Sequence, residues 1–346
     1  MVCYNIYISA DQASEYAKMG LPFLLCGECD LKEFNKESLT VEEQLNLLIS
    51  RNLKVNDFDS AVDILRRVGY YHLSSYMRLF QTDEKHTFYD GVEFADLIDL
   101  YNFDSELRHI TFKAIEKIEI AYRVAISNVM CKKYGSHWFI NKETFKKQTD
   151  PKTNQEIDYV QICKEIINKE IKKKDNEYAE TFIANYYSKY CKPELPPFWM
   201  VVETFTIGSL NKLYQNINPK DKKEIIEYLG FTSDAKFIRF SNWLYALSVI
   251  RNICAHHSRL FNRIFRISPS KHEKIEEFKC ADNNRFYYIA MIINYYLITM
   301  VQDYSYENDL QMLFKQYKSI DKTKMGFPAK WSEFRVNKQN TFSLPR

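Results

Sequence analysis

From Val92 to Tyr134 the chain carries neither glycine nor proline, and apolar residues recur at helical spacing throughout. Phe94, Leu97, Ile98 and Tyr101 lead into Leu107, Ile110, Phe112, Ile115, Ile118, Tyr122 and Ile126. Such a stripe returns to one face every three or four residues, which is a helix period and not a strand period. A long amphipathic helix must be covered by other elements, and helices are what the remaining sequence offers. Only 8 glycines and 9 prolines occur in 346 residues, too few to punctuate a β-rich fold. We expect an all-α protein, a helical bundle with extensions at both ends.

The flanking segments are read from their start and stop signals. Thr40-Val41-Glu42-Glu43 makes a capping box and opens a helix through Leu45, Leu47, Leu48 and Ile49. Residues 59–68 form a second helix ahead of Gly69, and residues 70–80 a third. A helix–turn–helix string of this kind can read DNA, but no basic cluster marks the start of its second helix, so DNA is not expected. Asp150-Pro151 and Lys172-Lys173-Lys174 mark a polar, lysine-rich insertion over 141–180. Pro193, Pro196 and Pro197 set a rigid turn before Trp199, and Asn218-Pro219 suggests a further polar link. Residues 286–303 read as a buried apolar helix, since Asn294 and several tyrosines interrupt the run and no stretch reaches the ~18–20 apolar residues of a membrane span. We divide the chain into a variable arm (1–38), a helical extension (39–90), the bundle (91–305) and a basic aromatic tail (306–346).

Net charge is +3, so a nucleic-acid surface would have to be a local patch. One candidate is the tail. Residues 311–346 hold eight Lys and Arg, among them Lys322, Lys324 and Lys330, against Asp321 and Glu333, a net +6. Phe314, Tyr317, Trp331 and Phe334 are interleaved, a mixture that suits unpaired bases, although a tail docked on the bundle would look the same. The 25 tyrosines and 24 phenylalanines are mostly expected in the core. Eight cysteines at irregular spacing, with no secretory signal, suggest reduced thiols in a cytoplasm. Cys26-Gly27-Glu28-Cys29 offers two thiols and Cys3 a third, but zinc takes four ligands and no second pair follows. We expect a turn there, with no metal and no cofactor.

The chemistry-bearing stretch is Arg251-Asn252-Ile253-Cys254-Ala255-His256-His257-Ser258-Arg259-Leu260-Phe261-Asn262-Arg263, following the apolar run from Trp243 to Ile250. Read as one helix over 241–266, it separates two faces at about 100° per residue. Ile250, Ile253, Cys254, His257, Phe261 and Ile264 form a core stripe. Asn252, His256, Arg259 and Arg263 form a polar stripe. This makes His256 the imidazole available for chemistry and His257 a supporting residue. Arg251 falls about 140° from His256 on such a helix. A proton shuttle beside permanent positive charge, without a carboxylate cluster, suits a phosphodiester: Arg holds phosphate oxygens and His moves protons. With RNA the 2′-hydroxyl is an internal nucleophile. The plainer alternative is an exposed basic helix face with a satisfied histidine. Glu119 and Arg123, at i and i+4, are an ordinary ion-pair spacing, or one of them orients the site from a helix packed beside that of Arg251. Arg108 is a further candidate for RNA contact.

Several ordered blocks carry a resemblance. R-N-x-x-x-H in a long helix of an all-α domain resembles the motif of HEPN ribonucleases, and Arg251 to Arg263 resembles the signature of the Abi (abortive infection) family, AbiD/AbiF type. Gly69-Tyr70-Tyr71-His72-Leu73-Ser74-Ser75-Tyr76 resembles the family's G-Y-Y-x-L-S-x-Y element. Tyr101 to Arg108, then Ile115 to Arg123, resemble its Y-x-F-D-x-x-L-R and I-E-x-x-x-R blocks. Pro196 to Leu210 and Met325 to Trp331 resemble later ones. The likeness runs from about 40 to 335.

It implies a HEPN-like bundle and a metal-independent RNA endonuclease acting as a phage-defence toxin. On that view His256 is general acid or base, Arg251 stabilises the phosphorane, Asn252 orients His256, and Arg259 and Arg263 hold neighbouring phosphates. The product would be a 2′,3′-cyclic phosphate. One imidazole does not easily serve both proton transfers, and Arg251 points aside, so a homodimer with facing motifs is expected. A structured noncoding RNA is the expected controlling partner. The alternative is a non-catalytic RNA-binding regulator, or a scaffold in a defence complex.

Overall fold

The computed structural model describes residues 37–82, 85–151, 153–172, 178, 180–231, 237–332 and 334. Among them are thirteen α-helices, several short 3-10 turns and no strand beyond isolated bridges. The fold is all-α, as its periodicity requires. The Cys26–Cys29 pair and Cys3 lie outside the described residues.

Three helices form the N-terminal extension: α1 (Val41–Ser50), α2 (Phe58–Val68) and α3 (Tyr70–Met77). The capping box forms as read, with Glu43 N–H donating to Thr40 Oγ1 at 3.2 Å and Thr40 N–H to Glu43 Oε2 at 2.7 Å. Gly69 breaks α2 from α3 at φ 84°, a conformation that side chains resist. Leu45, Leu48, Leu65, Leu73, Met77 and Phe88 bury together as a satellite core, closed by Phe94 and Leu97 from the next helix.

That next helix, α4 (Phe94–Tyr134), is 41 residues long and is the axis of the molecule. After it come α5 (Tyr159–Ile171), α6 (Thr181–Lys189), the single turn α7 (Phe198–Val201), α8 (Ile207–Asn216) and α9 (Pro219–Tyr228). The chain continues through α10 (Phe237–Ala255), α11 (Glu276–Cys280), α12 (Phe286–Met300) and α13 (Tyr306–Gln316). Helices α9, α10, α12 and α13 all pack on α4. Tyr122 meets Phe240 and Phe112 meets Arg251, so α10 runs antiparallel to α4.

Two readings need correction, and a third, left open in the sequence, is decided by burial. Asn218-Pro219 is not a link but the start of α9: Asn218 Oδ1 accepts the N–H of Asp221 at 2.9 Å, and proline tolerates the first turn because its missing N–H would be unpaired there. The lysine-rich insertion is not polar throughout, for α5 buries Tyr159, Cys163, Ile167 and Ile171 in the main core. The tail's aromatics are packed rather than presented: Phe327, Trp331 and Phe334 are buried, with Phe314 against them. Lys324 and Lys330 stay exposed, Lys322 partly so. Among the described residues no helix is long and apolar enough to cross a membrane.

Candidate functional site

Helix α10 ends at Ala255, eleven residues short of the expected stop at 266. No glycine or proline signals this end. His257 itself adopts the left-handed conformation, at φ 55°, that glycine usually supplies. Its N–H donates to Cys254 C=O at 3.1 Å, and Ser258 N–H reaches back to Ile253 C=O at 3.0 Å. This paired closure satisfies carbonyls that the end of a helix leaves open.

The chain beyond is held by a carboxylate. Asp104, fully buried on α4, accepts Leu260 N–H at 3.1 Å and Phe261 N–H at 2.6 Å. In a continuing helix those two N–H groups would serve carbonyls within the motif. Asp104 also accepts Tyr76 Oη at 2.8 Å and Arg108 Nη1 at 2.5 Å. Burial pushes its carboxyl up, while Arg108, Tyr76 and the two amides act the other way. With every contact a donor, we take the group as ionised. Tyr76 comes from α3, so one carboxylate ties the extension, the long helix and the motif corner together.

The corner changes which side chains are available. His256 and His257 are both exposed, so His257 is not the core residue that the single-helix projection made it. Ile264 is exposed too, at 67%, because the helix that would have buried it has ended. His256 N–H donates to Asn252 C=O at 2.9 Å, so the link between these residues runs through backbone, with the Asn252 side chain exposed. Arg259 and Arg263 are half-buried in the corner. Arg263 Nη1 donates to Arg259 C=O at 3.3 Å. Arg259 Nη1 is buried with no hydrogen-bond partner, and burial lowers that guanidinium's proton affinity, with Asp104 and Tyr76 opposing. Cys254 is inert, its thiol pushed up to about 12 by burial.

Arg251 lies in the seam between α10 and α4. Its Cζ sits 5.4 Å from the centre of the Phe112 ring, and its Nε is buried without a hydrogen-bond partner. Burial raises the Glu119 carboxyl, and Arg123 and Arg251 pull it back. Glu119 is hydrogen-bonded to Arg123, which also donates to Phe205 C=O at 2.5 Å. Glu119 therefore stands between two guanidiniums, one structural and one at the seam. Arg108 is 4% exposed and occupied by Asp104 and Tyr76, so it braces the corner from inside instead of facing solvent. Lys322 and Lys324 lie on the 3-10 turn after α13, far along the chain from the motif, with Lys322 Nζ 5.7 Å from the Phe314 ring.

A family model described as Abi-like protein matches residues 63–262, more than half of the chain. The chain belongs to the Abi-like family. No curated protein and no solved structure matches it. The match takes in α3, Asp104, Arg251 and both motif histidines of this Abi-like protein. Membership points to abortive infection, a form of phage defence. Among the described residues of the Abi-like chain, no three His, Cys, Asp or Glu side chains converge as a metal site would need.

Sequence reasoning gave no role to Asp104, Tyr76 or Phe112. Asp104 and Tyr76 stand inside the blocks that carry the family likeness, and that is the available signal. Phe112 was read only as part of a core stripe, and its ring lies under Arg251 instead.

Proposed function

We propose that this protein is an RNA endonuclease of HEPN type, acting as an abortive-infection toxin. The observation that carries the reading is the corner itself. A helix ends by presenting an exposed imidazole, His256, with Arg251 five residues earlier in the seam and Arg259 just beyond. Neither guanidinium is hydrogen-bonded by a described carboxylate. A phosphodiester would supply the missing acceptor oxygens, in the bidentate geometry that guanidinium favours.

On this reading the 2′-hydroxyl attacks the adjacent phosphorus, Arg251 offsets charge as the phosphorane forms, and His256 moves a proton. No bound ion is required to generate the nucleophile. Asn252 and Arg263 flank the path. A second copy completes the site. Ile120 and Val124 on α4 and Tyr245 on α10 are exposed apolar residues on the two helices that form the Arg251 seam. A second copy seated along that seam would cover them. Control by a structured noncoding RNA, docked on the exposed lysines of the C-terminal segment, accords with a toxin that must stay silent.

The test is direct. Wild type and His256→Ala are incubated with RNA in the presence of EDTA, and the new ends are analysed. Cleavage by wild type alone, leaving 2′,3′-cyclic phosphate, is expected. RNA binding by both without cleavage would instead make the protein a regulator. Sequencing the nucleic acid that copurifies with it identifies the partner.

A further inference from the structure

His72 sits on α3, outside the motif, and is not needed by any role assigned so far. Its ring packs on Tyr101 at 5.8 Å and on Tyr76 at 6.3 Å between centres. Tyr76 donates to the Asp104 carboxylate that captures the motif corner three and four residues beyond His257. His72 is thus fixed, through two rings and one carboxylate, to the chain that presents the motif histidines. The ring is half-buried, and neither nitrogen has a hydrogen-bond partner among the described residues.

We propose that His72 is the second proton-transfer group of the site, the base that takes the 2′-hydroxyl proton, while His256 acts as the acid. The proposal rests on the nuclease reading and deepens it. The proton leaves the 2′-oxygen for His72 as the 2′-O–P bond forms. The P–O5′ bond breaks, and the 5′-oxygen takes a proton from the His256 imidazolium. The products are a 2′,3′-cyclic phosphate and a 5′-hydroxyl, and the two imidazoles exchange their proton states through water. The second imidazole then comes from the same chain, and the role of a second copy is to bring its arginine.

The surroundings suit a base. Burial, Arg108 and His257 hold the His72 imidazole below its ordinary value, with Asp104 opposing. These are the charged groups facing it: Asp104 and Arg108 from α4, and His257 from the corner. Tyr76, on its own helix, is held in its neutral form by burial and by Asp104. An imidazole so placed is unprotonated at neutral pH, as a base must be.

The experiment compares wild type, His72→Gln, His72→Phe and His256→Ala on a defined RNA. The Phe variant keeps a ring against Tyr101 and Tyr76, so loss of packing and loss of the base are separable. Both His72 variants should melt with wild type, lose roughly 10²–10⁴-fold in kcat, and lose the rising acid limb of the pH–rate profile. A substrate with sulfur at the scissile 5′-bridging position leaves as thiolate without needing a proton. It should rescue His256→Ala and leave both His72 variants slow. His72 variants that cut at the wild-type rate with the limb intact would overturn the proposal and leave the nuclease reading standing. Rescue of His72→Gln by the thiolate substrate would overturn it as well. Wild type that cuts no RNA removes the nuclease reading, and this inference with it.

Discussion

The carboxylate of Asp104 accepts the backbone N–H of Phe261 at 2.6 Å, from a position 157 residues earlier in the chain. Asp104→Ala would free two amide N–H groups and strand the buried Arg108 guanidinium. Removing one partner of a buried pair costs about 3–5 kcal/mol. We therefore expect a lowered urea midpoint and a corner that no longer holds its histidines. An Asp104→Ala protein with the wild-type midpoint would show that the anchor is not structural.

Arg251 is expected to matter for chemistry and little for stability. Its Nε has no partner to lose, and its stacking on Phe112 contributes about 0.5–2 kcal/mol. Arg251→Met should lie within about 2 kcal/mol of wild type in stability by that reasoning, and lose roughly 10²–10³-fold in cleavage, as removal of one charge-stabilising donor typically does. Arg251→Lys keeps the charge without the planar fork and should recover little. Large destabilisation by Met would assign this residue to the fold.

If two copies meet along the Arg251 seam, a charge placed there should part them. Tyr245→Glu and Val124→Glu, at exposed positions on α10 and α4, ought to sediment as monomers and lose cleavage together, with unchanged helicity. A dimer that survives both substitutions places the association elsewhere.

His272 provides a pH signature. Burial, with Arg239 adding to it, holds its imidazole at about 4, and its Nδ1 accepts Lys274 N–H at 3.2 Å and Ile275 N–H at 3.3 Å. The unfolded chain takes up the proton near pH 6.5, the folded one only near 4. Between these values the unfolded state binds more protons, so stability falls as pH falls. We expect about 1–3 kcal/mol to be lost through this group from pH 7 to 4. In His272→Asn, which keeps an acceptor and does not titrate, chemical denaturation across that window should show a shallower dependence.

The C-terminal lysines are tested by salt. Should Lys322, Lys324 and Lys330 contact RNA phosphates, changing all three to Gln flattens the plot of log affinity against log salt by about 0.7 per lost contact on a single strand. An unchanged slope takes this segment out of the RNA surface.

Much of the architecture could be read from residues alone, where the determinant was local. Thr40 with Glu43 ahead of α1 and Gly69 after α2 are signals that act within four residues, and each element starts or stops where they stand. Asn218-Pro219 was equally local, but Asn-Pro serves both a turn and a helix start. The end of α10 was hidden for a different reason. Its turn is closed by a histidine in a conformation usually left to glycine, and its N–H groups are claimed by an aspartate from another helix. Neither fact has a signature near residue 255. The same limit applied to Arg108, whose charge suggested phosphate and whose burial assigns it to Asp104. The tail's aromatics had two readings in sequence, and only their burial decided between them.

Helix α4 spans 41 residues, about 60 Å at the usual rise. Its first turns close the satellite core, its third turn bears Asp104, and its middle bears Phe112 and Glu119 beneath Arg251. One stiff rod therefore sets the placement of both the imidazole-bearing corner and the guanidinium in the seam. A partner that grips the N-terminal helices holds a lever whose fulcrum is the bundle, and tilting that lever would change the registry of the two halves in a single stroke.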